Sequence, residues 1–302
     1  MPRELFNSPQ KQWVREHFWL PAILEFKARA AGQLKYLTFA GPKAFDVDFF
    51  TGKQIFNIEN VRVWEMDHTA AAALKLKYGA NFQVVVGQAF DLVKSAGERA
   101  SFPHSVINLD FTNGAFHLKR PWYIPPKFEL IDRVVSAQME CAESFLLLIA
   151  FAATHDVDNE YGKGFVQKLA FDIATRFGHT EPLFNLTRDA ASWYPQILVS
   201  VVPCAVIRLG GEHSYDSRCI GKALYYPYGS KKTGMVCLMF SFTYDNPALS
   251  ETSHQTSKRM DALIVKRQEE SLGLPLTDVN KLLRSTATIV REPRRKRSRI
   301  RG

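Results

Sequence analysis

Runs of β-forming residues alternate with helix-forming stretches through the first half of this chain, and that alternation restricts its fold more than any other feature. Lys35 to Ala40 (KYLTFA), Val61 to Met66 (VRVWEM), Phe82 to Val86 (FQVVV), Ser105 to Asp110 (SVINLD) and Phe145 to Ala153 (FLLLIAFAA) read as strands. Between them, Phe45 to Phe50, Thr69 to Tyr78, Ala89 to about Ser95 and Phe128 to Ala142 read as helices, with Gly79 closing the second. One crossover helix per strand calls for a parallel sheet covered on both faces. Phe145 to Ala153 is apolar throughout, as a strand buried on both faces should be.

The flanking segments differ in character. Ser8 to Ala31 reads as a helix whose apolar face carries Trp13, Phe18, Leu20, Ile23, Leu24 and Phe26, ended by Gly32. Gly164 to Arg176 reads as a helix, and Tyr194 to Val206 is an apolar run compatible with helix or strand. Ala223 to Tyr228 and Met235 to Tyr244 flank a Gly229-to-Gly234 turn and form an antiparallel hairpin. Glu251 to Leu272 is a final, charged amphipathic helix. The expected organisation is an N-terminal helical segment (1–32), an α/β domain (33–273) and a C-terminal extension (274–302).

Several function classes are excluded. The N-terminus has no apolar signal-type core, and the longest apolar run is about half of what a bilayer requires. The four cysteines (Cys141, Cys204, Cys219, Cys237) form no CxxC pair, so neither a disulfide framework nor a zinc site is expected and a reducing cytoplasm fits. Cys141, Cys204 and Cys237 lie in apolar runs and read as small core hydrophobes. There is no G-x-S-x-G elbow and no G-x-x-x-x-G-K-[ST] loop. Asp46, Asp48, Glu65, Asp67 and Asp110 are candidate magnesium ligands, but no motif pairs them, and no metal is expected.

In an open α/β sheet, ligands bind beyond the carboxyl ends of the strands. The first strand ends in Phe39-Ala40-Gly41-Pro42, where a small residue lets a ligand approach the backbone. The second ends in Glu65, 24 residues after Gly41, placed to accept both hydroxyls of a ribose. Gln88, after the third, is placed for an adenine edge. Asp110, closing the fourth, stands where a reacting amine or hydroxyl would arrive.

FAGP at 39–42, VRVWEMD at 61–67, VVVGQAFDL at 84–92 and INLDF at 107–111 together resemble the four ordered motifs of the class I S-adenosylmethionine-dependent methyltransferases. The resemblance spans roughly residues 33 to 245. It implies a Rossmann-like, mostly parallel seven-stranded sheet with helices on both faces and a C-terminal antiparallel hairpin. It also implies S-adenosylmethionine as cofactor, held by Phe39, Ala40, Gly41, Glu65 and Gln88, with Asp110 as the catalytic acid. The first motif keeps only Gly41 of the family's two or three glycines, and Pro42, Lys43 and Ala44 follow it. A catalytically inactive subunit with an assembly or nucleic-acid-binding role is therefore the alternative.

Charge points to a partner. The formal net charge is +9, yet the last twelve residues hold seven Lys/Arg and one acid, leaving 32 basic and 29 acidic residues elsewhere. The body is nearly neutral, and residues 291–302 form a basic tail that reads as disordered and suited to nucleic-acid phosphates. Trp122, Tyr123, Tyr225, Tyr226 and Tyr228 lie near cations, as base stacking would require, and also as packed strands would show.

Overall fold

The computed structural model describes residues 7–114, 126–153, 164, 168–169, 171–173, 175–176, 190–227, 234–245 and 252–289. The basic tail, Trp122, Tyr123, Tyr228 and most of the hairpin turn lie outside the described residues.

The strands are β1 (Tyr36–Thr38), β2 (Val61–Glu65), β3 (Gln83–Val86), β4 (Val106–Gly114), β5 (Phe145–Ala152), β6 (Tyr215–Tyr225), β7 (Met235–Tyr244) and β8 (Leu276–Asp278). They form one sheet in the order β3-β2-β1-β4-β5-β7-β6-β8. β1 to β5 pair in parallel, and β7 alone runs against its neighbours. The expected seven-stranded α/β sheet with its antiparallel hairpin is present. An eighth strand is added at the edge, where Lys222 to Leu224 of β6 pair with Leu276 to Asp278. The sheet thus continues past residue 273, where the sequence had suggested that the domain closes.

The helices are α1 (Pro9–Trp13), a π turn (Val14–Trp19), α2 (Leu20–Arg29), α3 (Phe45–Gly52), α4 (His68–Tyr78), α5 (Ala89–Leu92), α6 (Ala96–Arg99), α7 (Pro126–Met139), α8 (Ala190–Glu212), α9 (Ser253–Gly273) and α10 (Val279–Ile289). The described positions between 164 and 176 are also helical. One face of the sheet packs Leu37, Ile107, Leu109, Leu147 and Ile149 against α7 and α8. The other packs Tyr36, Val63, Leu146 and Leu148 against α1 to α4.

The ambiguous run around Tyr194 to Val206 is helix. Its β-branched residues favour a strand locally, but burial of Leu198, Val199, Val201, Val202, Cys204, Val206 and Ile207 nearly all round fits a helix enclosed between sheet and α9. Gly210 and Gly211, where a Cβ would strike Ser217 and Ile264, permit that enclosure. A Cβ on Gly210 would stand 2.7 Å from the Ser217 Cβ and 2.8 Å from the Phe242 ring. Gly210→Ala is therefore expected to cost about 1–3 kcal/mol by overpacking. Urea unfolding measures it, as a lower midpoint at an unchanged slope.

Three smaller expectations are corrected. Leu24, assigned to the apolar helix face, is 45% exposed, and the buried stripe runs through Lys11, Arg15, Trp19 and Ile23 instead. Cys141 is only half-buried, beside the left-handed turn at Ala142. The helix ending at Gly273 is not the last, because α10 follows β8 and buries Val279. Among the described residues, no helix is long and apolar enough to cross a membrane.

Candidate functional site

β1 and β4 are neighbours whose following helices cover opposite faces of the sheet, so the chain diverges between them. A crevice opens there beyond the carboxyl ends of the strands. It holds a cavity of about 630 Å³, within the size range of small-molecule sites. Phe39, Ala40, Gly41, Glu65, Gln88 and Asp110 all border it. The structure therefore brings together every site residue that the strand ends nominated.

Each is placed by a local device. Gly41 has φ +59°, a left-handed value suited to glycine, and a Cβ there would meet nothing within 4 Å. Its carbonyl accepts the Ala44 N–H in the turn that launches α3. The Glu65 backbone carbonyl accepts the Gly87 N–H at 3.0 Å, tying the ends of β2 and β3 together. Glu65 Oε1 accepts the Asp67 N–H at 2.9 Å, which orients the carboxylate. Gln88 is exposed, and its backbone carbonyl accepts the Asp91 and Leu92 N–H groups, opening α5. A Cβ on Gly87 would come within 2.9 Å of Leu92 Cδ2, so glycine keeps that turn tight.

Pro42 and Phe45 border the cavity without closing it, and Lys43 is absent from its wall. The Lys43 carbonyl instead receives a hydrogen bond from Lys77 Nζ at 2.9 Å. The side chains that replace the missing glycines thus leave the space open. Trp64, Met66, Phe90 and Phe111 complete much of the apolar wall.

Around Asp110 stand groups that the motifs did not identify. Lys11 Nζ lies 2.7 Å from Asp110 Oδ2, and the two side chains are 1% and 7% exposed. The same ammonium stands 4.3 Å from the centre of the Trp19 ring. Arg15 Nε pairs with Asp46, and Asn108 Nδ2 donates to Asp46 Oδ2 at 3.2 Å and to the Tyr36 hydroxyl at 3.1 Å. Arg15 and Asp46 also border the cavity. Burial raises the Asp110 carboxyl above its usual range, with the Lys11 ammonium pulling the other way. Burial lowers the Lys11 pKa, but the nearby acids, Asp110 above all, outweigh it and leave the ammonium above its usual value.

Asp110 is consequently not the lone strand-end acid that the sequence suggested. Its partner arrives from the N-terminal helix, 99 residues away in sequence. One signal was available: Lys11, Arg15 and Trp19 recur every four residues in phase with Ile23. Among the described residues, no group of three or more candidate ligands is suitably placed for a metal ion. Asp48 is engaged by Lys77 and by the Tyr78 hydroxyl, and Asp67 caps α4 through the Thr69 and Ala70 N–H groups.

No family model matches this chain, and no curated protein does. Solved structures similar to it include precorrin-6y C5,15-methyltransferase from Geobacter metallireducens GS-15, at 12% identity over 77% of this chain and 88% of that one, with a TM-score of 0.34. An rRNA methylase from Streptococcus thermophilus is 12% identical over 74% and 96%, with a TM-score of 0.36. A protein of the NADB-Rossmann superfamily from Streptococcus agalactiae is 7% identical over 83% and 95%, with a TM-score of 0.34.

Proposed function

We propose that this chain binds S-adenosylmethionine in the crevice and methylates an acceptor that docks at Asp110. The observation that carries this proposal is the open cavity beyond Gly41, bordered by all six residues nominated from the strand ends. The residues suit the cofactor. The backbone at Ala40 and Gly41 leaves room for it, the Glu65 carboxylate accepts ribose hydroxyls, and the Gln88 amide meets the adenine edge. When bound, the cofactor supplies a methyl group on a positively charged sulfur. The chain contributes chiefly proximity and orientation of the acceptor.

Calorimetric titration with S-adenosylmethionine tests this. Saturable binding is expected, weakened about 10- to 100-fold in Glu65→Ala by loss of hydrogen bonds to a charged group. Absence of binding at millimolar cofactor overturns it and leaves the assembly alternative. A nucleic-acid acceptor is the finer part of the proposal and rests on the seven cations of residues 291–302. Oligonucleotide affinity should fall with rising salt, and the salt slope should shrink when the tail is removed.

A further inference from the structure

The buried Lys11–Asp110 pair has no explanation in stability alone. Replacing a buried ion pair by apolar residues of similar volume is often neutral or stabilising. Here one member of the pair also borders the cavity. The cation is held with some elaboration. A four-residue step overshoots one turn of α-helix and falls short of one turn of the wider π-helix. The π turn at Val14–Trp19 therefore keeps Arg15 and Trp19 in line with Lys11. All three are buried, and the Trp19 ring backs the Lys11 ammonium.

The groups facing Asp110 from its surroundings are Lys11 on α1, Arg15 on the π turn, Asp46 on α3, Tyr225 on β6 and Cys237 on β7. Burial holds the Tyr225 phenol well above its usual value and pushes the Cys237 thiol up to about 12, so both stay neutral. Around Asp110 itself the two cations stand paired with two acids, and Lys127, also in the cavity wall, lies 5.3 Å from the Phe111 ring. The adjoining surface is aromatic, with the Phe39 and Phe111 rings 5.6 Å apart and edge-to-face, and Phe45 also in the cavity wall.

We infer that Lys11 is a positioning residue: by pairing with Oδ2 of Asp110, it aims the other carboxylate oxygen at the O–H or N–H of an aromatic acceptor. This rests on the proposed methyl-transfer site and narrows its substrate class.

Phenol and anisole are suitable probes, because they share a ring and only phenol can donate a hydrogen bond. In NMR titrations, the wild-type protein is expected to bind phenol at least about tenfold more tightly than anisole. Lys11→Met should lose that preference, and Lys11→Arg should restore much of it. A preference that survives in Lys11→Met, or no binding of either probe, overturns the inference. If Lys11→Met does not fold, infrared difference spectra of the wild type decide, with the Asp110 band assigned against Asp110→Asn. The band should shift with phenol and not with anisole, and an unresponsive band overturns the inference. Titration with S-adenosylmethionine separates the two levels. Wild-type protein that binds no cofactor, yet loses phenol preference in Lys11→Met, overturns the methyl-transfer proposal and supports the role of Lys11.

Discussion

Asp110→Leu is expected to destabilise the protein by about 3–5 kcal/mol, and adding Lys11→Met is expected to recover most of that loss. The single variant strands an ammonium that is 1% exposed. Among the described residues, Asp110 is its only ion-pair partner, with the Trp19 ring against it and Asp46 acting on it from farther off. The aromatic face offers a weaker attraction than a carboxylate, so the ammonium must lose its proton or draw in water. The double variant removes both charges and fills similar space with apolar atoms. Urea unfolding of the wild type, both single variants and the double variant closes a thermodynamic cycle. A double variant as unstable as Asp110→Leu alone would show that the pair itself stabilises the fold. That result would weaken the case that it is retained for the cavity.

The sheet was legible where burial imposes a simple pattern. β5 is buried at all eight positions, and Phe145 to Ala153 reads as one apolar run. β6 was legible only over its last residues. Ahead of those, Asp216, Arg218 and Lys222 interrupt any apolar run, and a bulge between Cys219 and Gly221 shifts the alternation midway. Those polar groups are tolerated through α9. Arg267 donates to both Asp216 oxygens, and Lys222 Nζ donates to the Ser271 carbonyl. Partners some 50 residues away leave no local trace. β8 has three residues, too few for a periodic signal, and α10 is fixed behind it by Asn280, which bridges the Tyr226 N–H and carbonyl.

The cavity was legible for a different reason. The ends of parallel strands converge on one edge whatever the side chains are, so finding the strands nearly finds the crevice. Glu65 and Gln88 needed no further information. Lys11 and Arg15 escaped because charged residues on a helix are normally assigned to its solvated face. Their burial follows from Asp110 and Asp46, whose positions are set by β4 and α3. The π turn adds to the difficulty, since it shifts the buried stripe off the face that a regular helix would present.

Stability should fall as the pH drops from about 6.5 toward 3, and His104 should account for much of the slope. The ring is 3% exposed. Burial, with Arg62 and Lys35 nearby, depresses its pKa to about 3 in the folded chain, against about 6.5 when unfolded. In this window the unfolded chain takes up a proton that the folded chain refuses, so acid favours unfolding. The contribution is fully present above pH 6.5 and declines by up to about 1.4 kcal/mol per pH unit as the pH falls, levelling off near 3. The limiting loss is roughly 5 kcal/mol, comparable with the whole stability of many domains. His104→Leu should flatten this slope without releasing the loop. Gln138 anchors that loop through the backbone, accepting from the His104 N–H at 2.7 Å and donating to its carbonyl at 2.9 Å, and both bonds survive the change. Urea midpoints for both proteins at pH 7, 5 and 4 measure the difference. Parallel curves would mean that His104 is protonated in the folded chain and that the acid sensitivity arises elsewhere. His104 lies just before the start of β4, and Asp110 borders the cavity beyond the carboxyl ends of the strands. Acid-induced loss of cofactor binding that tracks unfolding, and disappears in His104→Leu, would therefore be assigned to the scaffold. Loss that persists in the folded variant would be assigned to the carboxylates of the site.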